Sequence, residues 1–152
     1  MDIGSNTGYP AENLSNFTQH EFVIDGVVCA SMEGFLQSLK FQDVQKQREI
    51  CGLWGGHAKK KGSKKNKRWK STQTLYWQGE VINRHSEAYQ TLLDRAFKAL
   101  AMNDLFKQAL LDTGDAYLTH SFGRDDPTNT VLTTAEFCER LMRIRERFRC
   151  DT

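Results

Sequence analysis

Long apolar runs are missing from this 152-residue chain, and none approaches the roughly twenty consecutive residues that a membrane-spanning helix needs. The first ten residues, MDIGSNTGYP, hold neither the basic nor the greasy region of a secretory signal, so a cytoplasmic protein that engages no membrane is expected. Close cysteine pairs are missing too. Cys29, Cys51, Cys138 and Cys150 are widely spaced, as are His20, His57, His85 and His120, which argues against zinc or redox motifs. No metal and no cofactor is expected, and the cysteines should be reduced. Internal repeats are absent, which excludes solenoids. Acidic residues are absent from one segment: Lys59, Lys60, Lys61, Lys64, Lys65, Lys67, Arg68 and Lys70 follow one another without a carboxylate between them. The net charge of +2 therefore hides an otherwise acidic chain.

What is present is an ordinary globular composition, 39% hydrophobic and 26% charged, long enough for one domain with a real core and no staples. Residues 1–12 are polar and turn-rich and suggest an irregular lead-in. FVI and VVC flank Asp25-Gly26, a dipeptide suited to a two-residue hairpin because both turn positions want positive φ. Helices are expected from Ser31 to about Phe41, from Asp43 to Cys51, over 86–101 and over 103–111. Residues 52–73 lack clear periodicity and suggest a loop or a partly helical excursion, with the basic loop at 57–70. Tyr76-Trp77-Gln78-Gly79 suggests a short extended piece or turn, AYLTHS a short strand, and GRDDPTN a loop. Thr133 and Glu136 have capping-box spacing ahead of a C-terminal helix carrying Phe137, Leu141, Ile144 and Phe148. The expected fold is α+β, a mostly helical single domain over 1–152 with a small antiparallel sheet or hairpin.

Within SMEGFLQSLKF, residues 31–41, helical phase gives Met32, Phe35, Leu36 and Leu39 a buried stripe and leaves Glu33, Gln37 and Lys40 on an adjoining polar edge. Such an edge is either a solvated helix face or the lining of a pocket. With Ser31 as N-cap, Glu33 falls in the first turn, where unpaired N–H groups favour its charged form. Burial against Phe35 or Trp77 would instead raise its pKa.

LSNF at 14–17, FVIDGVVCASMEGFLQSLKF at 22–41, LLDTGDAYLTHS at 110–121 and EFCERLMRIRERF at 136–148 follow in order the pattern of the NADAR (NAD- and ADP-ribose-associated) family. The resemblance spans residues 9–148 and is most specific in the hairpin and glutamate helix. It implies hydrolysis of an N-glycosidic bond between a ribose carbon and a base or amine nitrogen. Family substrates are ribosylamino-pyrimidine phosphates of early riboflavin synthesis and ADP-ribose attached to guanine in DNA. The family's catalytic carboxylate falls on Glu33, its Asn-Phe pair near the ligand on Asn16 and Phe17, and its glutamine on Gln37. Many members carry an aspartate followed closely by Trp-Gly before the last helix. This chain has Gly123-Arg124-Asp125-Asp126-Pro127 there, so Asp125 or Asp126 takes the aspartate position and Trp77 is the candidate for the aromatic wall.

A fixed carboxylate near C1′ suits a transition state that gathers positive charge on the ribose. Asp125, Asp126 or His120 are candidates to assist the leaving nitrogen, though each also has an ordinary turn or strand role. Gln37 and Lys40 join Asn16, Phe17 and Trp77 as substrate-binding candidates, and core packing is the alternative for Trp77. Lys64, Lys65, Lys67 and Arg68 are the candidates for a substrate phosphate, or for a DNA backbone as an alternative partner. Two non-enzymatic readings also fit: an ADP-ribose-binding module without catalysis, and a nucleic-acid-binding accessory protein acting through the lysine run.

Overall fold

The computed structural model describes residues 1–151 and builds the domain around one short helix. Helix α1, Met32–Ser38, starts at Ser31, whose hydroxyl accepts from the Gly34 N–H at 3.0 Å, and all seven of its residues are buried. Its polar edge is therefore not solvated. The hairpin that delivers the chain to Ser31 pairs β1, Phe22–Ile24, with β2, Val27–Cys29, in the register Phe22↔Cys29, Val23↔Val28 and Ile24↔Val27. Asp25 and Gly26 both have positive φ, 49° and 76°, as a tight antiparallel turn requires.

Helix α2, Val44–Cys51, is capped by the Asp43 carboxylate and packs on α1. Gly34 makes this approach feasible, since a Cβ there would lie 2.4 Å from the Leu53 carbonyl oxygen. The basic segment is not a loop but takes the helical one of its two expected forms. It folds as α3, Gly55–Ser63, and α4, Asn66–Thr72, with α3 laid against α1. Only a few residues face inward, Ala58, Gly62 and Trp69 among them, so the apolar pattern is too sparse to be seen beneath the lysines. Strands β3, Thr74–Trp77, and β4, Glu80–Asn83, form a second hairpin across Gln78-Gly79, so the short extended piece or turn expected at 76–79 is a strand end and its turn, and β4 is the part the sequence did not show.

Helices α5, Glu87–Leu100, and α6, Asp104–Asp112, occupy the positions expected from their periodicity. The C-terminal α7, Thr134–Cys150, opens with the full Thr133–Glu136 capping box. AYLTHS contributes only a parallel bridge between Thr119 and Asp2 rather than a strand. That bridge, with Ile3 completely buried, ties down the lead-in, which stays irregular up to a 3-10 turn at Ala11–Leu14. The result is the expected mostly helical α+β fold, with two small antiparallel hairpins.

One buried ion pair holds the long loop between Ser121 and Thr133. Arg84, 1% exposed, donates twice to the Glu136 carboxylate at 3.1 and 2.7 Å and once to the Thr130 carbonyl at 2.9 Å. Glu136 also caps its own helix through the Thr133 N–H, so a single carboxylate couples the start of α7 to the strand end that carries Arg84.

Candidate active site

Glu33 and Gln37 of α1 and Lys40 just past its end form a buried relay. Gln37 Nε2 donates to Glu33 Oε1 at 2.7 Å, and Gln37 Oε1 accepts from Lys40 Nζ at 2.6 Å. Lys40 Nζ also donates to Asn66 Oδ1 of α4 at 2.6 Å. Buried polar groups need such partners, and the spacing of four residues along α1 and of three into the turn that follows it supplies them. Burial is the main influence on Glu33 and raises its pKa above the ordinary carboxylate value, against the hydrogen bond from Gln37 and the charges of Lys40 and Lys59. The helix-start argument for a plainly ionised carboxylate is thus outweighed by desolvation. Burial likewise pushes Lys40 down to about 8, with Glu33 pulling in the opposite direction.

Glu33 stands at the junction of two cavities. The first, about 260 Å3, is bordered by Gln37, Lys40, Asn66, Trp69 and Lys70, and closed by Arg124 and residues 129–132. The second, about 410 Å3, opens toward Gly4, Ser5, Asn6, Phe17 and Phe122. Asn16, Glu33, Lys59 and His120 line both. Asn16 is held there because its carbonyl accepts the Glu33 N–H at 3.0 Å, one of the helix-start donors. Its side-chain Oδ1 is buried with no partner. The His120 Nδ1 lies 2.8 Å from the Ile3 carbonyl and, because a carbonyl only accepts, donates its proton there, which orients the ring. Gly123 allows this ring position, since a Cβ there would lie 2.7 Å from His120 Cδ2.

A family model described as bacteriophage protein GP30.3 matches residues 8–146. The chain belongs to the bacteriophage protein GP30.3 family. A relative from Enterobacteria phage T4, an uncharacterized 17.1 kDa protein of the Gp30-rIII intergenic region, is 38% identical over 151 residues, covering 96% of this chain and 97% of the relative. Among solved structures, the NMR structure of the E. coli protein YbiA, a NADAR-family protein, superposes with a TM-score of 0.65 at 17% identity, covering 99% of this chain and 85% of that one. The fold is therefore NADAR-like, as the motif order suggested.

Of the residues singled out in the sequence, Asn16, Phe17, Glu33, Gln37 and Lys40 come together at these cavities. Others do not. Trp77 is a core residue: its ring packs edge-on against Phe35 at 5.1 Å and its Nε1 donates to Asp25 at 2.8 Å, so it provides no wall for either cavity. Asp126 is spent on its own turn, accepting from the Thr128 N–H, the Thr128 hydroxyl and Asn129. Asp125 borders a separate shallow groove beside Arg84 and Glu136. Neither aspartate lines the Glu33 cavities, because the loop turns Arg124 and residues 129–132 inward instead. Lys64 and Lys67 are exposed outside both cavities, while Lys65 and Arg68 border a different groove on the far side of Lys40.

The lysine run reaches the site through Lys59 and Lys70. Lys59, Ser63, Asn66 and Lys70 recur at steps of four, three and four, a helical stripe that lay in the sequence but was masked by the neighbouring cations. Phe122, 79% exposed at the mouth of the second cavity, has no local signal and was missed.

Proposed function

We propose that the protein hydrolyses an N-glycosidic bond between C1′ of a ribosyl group and a base or amine nitrogen, with Glu33 as the essential carboxylate. The observation that carries this reading is a single buried carboxylate at the junction of two cavities, held by an amide–ammonium relay and surrounded by cations. The NADAR-like fold supports the same reaction class. Glu33 is fixed before reaction by Gln37, so it stabilises positive charge growing on C1′ without reorganising at that moment.

The balance of the reaction is simple. The C1′–N bond breaks with its electron pair leaving on nitrogen, water adds through oxygen to C1′, and one proton of that water ends on the departing nitrogen. A carboxylate with a raised pKa is suited to orient the water, accept one of its protons and hand that same proton on to the departing nitrogen, with His120 lining the cavities beside it. Two substrate types fit: a ribosylamino-pyrimidine phosphate, and ADP-ribose on guanine in DNA.

The test is release of free base, detected by mass spectrometry across a panel of ribosylated bases, for the native protein and Glu33→Gln. Release is expected from at least one member, falling by about 100-fold or more in the variant. Equal release by the two proteins would remove Glu33 from the chemistry. Tight binding of ADP-ribose with no product would favour the binding-module reading.

A further inference from the structure

The two cavities that meet at Glu33 are chemically unlike. The α4 side holds three cations of its own, Lys40, Lys70 and Arg124, and shares Lys59, whose ammonium lies over the Phe17 ring, and Glu33 with the other side. The other side is walled by Phe17 and Phe122 and by the hydroxyl and amide groups of Ser5, Asn6, Ser15 and Asn16. Two donors on the cationic side lack full use. Trp69, 3% exposed, borders the cavity and its indole Nε1 has no hydrogen-bond partner among the described residues, an uncommon state for a buried N–H. Lys40, 7% exposed, gives two of its three N–H groups to Gln37 and Asn66 and retains one. An indole N–H has no acceptor capacity and an ammonium has none either, so the ligand group that satisfies both presents acceptor oxygens, and the cations Lys40, Lys70 and Arg124 around it favour one that also carries negative charge.

We infer that the chamber formed by Lys40, Asn66, Trp69 and Lys70 is a phosphate subsite, and that the substrate lies across Glu33 with its phosphate there and its base between Phe17 and Phe122. This rests on the ribosyl reading given above and adds a direction to it. The phosphate contacts come from inward positions of α4 and from the residue just past α1, whereas the outward lysines of the same run, Lys64 and Lys67, take no part. A ring stacked in the second chamber gains the dispersion and polar-edge contacts that a flat base requires. A phosphomonoester and the diphosphate of ADP-ribose share the recognised chemistry, and the test separates them.

Calorimetry of the intact protein with ribose, ribose 5-phosphate, ADP-ribose and inorganic phosphate measures the subsite without any turnover. Ribose 5-phosphate is expected to bind at least about tenfold more tightly than ribose, the difference one charge-assisted contact supplies. Trp69→Phe and Lys70→Gln should each remove about tenfold of that affinity, while the Lys64→Gln/Lys67→Gln double variant changes it less than about twofold. Lys70 is partly exposed, so its variant keeps the test valid should the buried Trp69 variant fold poorly. ADP-ribose binding as tightly as ribose 5-phosphate, with the same losses, assigns the diphosphate to the subsite; weaker binding assigns the monoester. Equal affinity for ribose and ribose 5-phosphate overturns the inference, as does an equal loss from the Lys64/Lys67 pair. Phosphate-dependent binding without base release keeps the subsite and removes the glycosidase reading. Inorganic phosphate binding that is lost in Lys70→Gln, with no ribose 5-phosphate binding, keeps the subsite and removes the ribosyl substrate.

Discussion

Gly62 of α3 faces Gln37 of α1 so closely that a Cβ at position 62 would lie 1.7 Å from the Gln37 amide oxygen and 2.9 Å from its Cβ. The helix–helix contact and the relay to Glu33 are thus one structure, because the same amide holds both Glu33 and Lys40.

Gly62→Ala is expected to dislodge that amide before it unfolds the protein. Overpacking of this kind costs about 1–3 kcal/mol, so the domain should still fold, with a melting point a few degrees lower. Base release should drop by about tenfold or more, since Glu33 loses its fixed donor. Steady-state kinetics alongside thermal melting separates the two effects, and full activity with only lowered stability would show that the relay is not needed.

The charges at the ends of the relay are predicted to depend on each other. Glu33 supports the protonated form of Lys40, whose pKa lies near 8, and Lys40 supports the charged form of Glu33. Glu33→Gln should therefore move the Lys40 titration below about 8, readable from the side-chain nitrogen by NMR. The stability linkage has a definite sign. The unfolded lysine keeps its proton up to its ordinary value of 10.5 and the folded one loses it near 8, so unfolding free energy should rise between those values. Comparing denaturant midpoints of native protein and Lys40→Met over that window isolates the contribution, and parallel curves would contradict the assignment.

Arg84 and Glu136 carry a stability prediction of their own. Removing one partner of a buried, doubly hydrogen-bonded pair costs about 3–5 kcal/mol, so Arg84→Met should lower stability by that order in urea unfolding. Burial acts on Glu136 to raise its pKa, but the hydrogen bonds from Arg84, Gln90 and the Thr133 N–H together leave it below the usual value. Its contribution is present above the unfolded carboxylate pKa and is lost as pH falls through the folded one. The native protein should accordingly lose stability on acidification more steeply than Glu136→Gln.

Gly34→Ala is expected to be worse tolerated than Gly62→Ala, since its Cβ would meet the backbone carbonyls of Leu53, Cys51 and Ile50 at 2.4, 2.9 and 3.1 Å rather than a side chain that can turn away. Loss of soluble folded protein, or a melting point lowered by more than in Gly62→Ala, is the expected result. A neutral effect would mean that α1 and α2 can separate freely.

The features legible in the sequence were those with local causes. The Asp25-Gly26 turn, the Ser31 cap, the apolar phase of α5 and α6 and the Thr133–Glu136 box are each specified within a few residues, and each folds as expected. Helices α3 and α4 were obscured because their buried face is made of Ala58, Gly62 and Trp69 amid lysines. The β3–β4 hairpin was obscured because β4 has one buried residue, Ile82, and so little alternation.

The sequence by itself determined the helix of Glu33, the phase that sets Glu33, Gln37 and Lys40 on one edge, and the hairpin leading into it, because backbone hydrogen bonding and helical pitch are local. Only the tertiary structure decided that this edge is buried, that Lys59, Lys70 and His120 face it, and that Trp77, Asp125 and Asp126 do not. Those outcomes depend on which surfaces meet. The close approach at Gly34 and Gly62 closes α2 and α3 over α1, and removal of water rather than proximity to a helix start then governs the carboxylate.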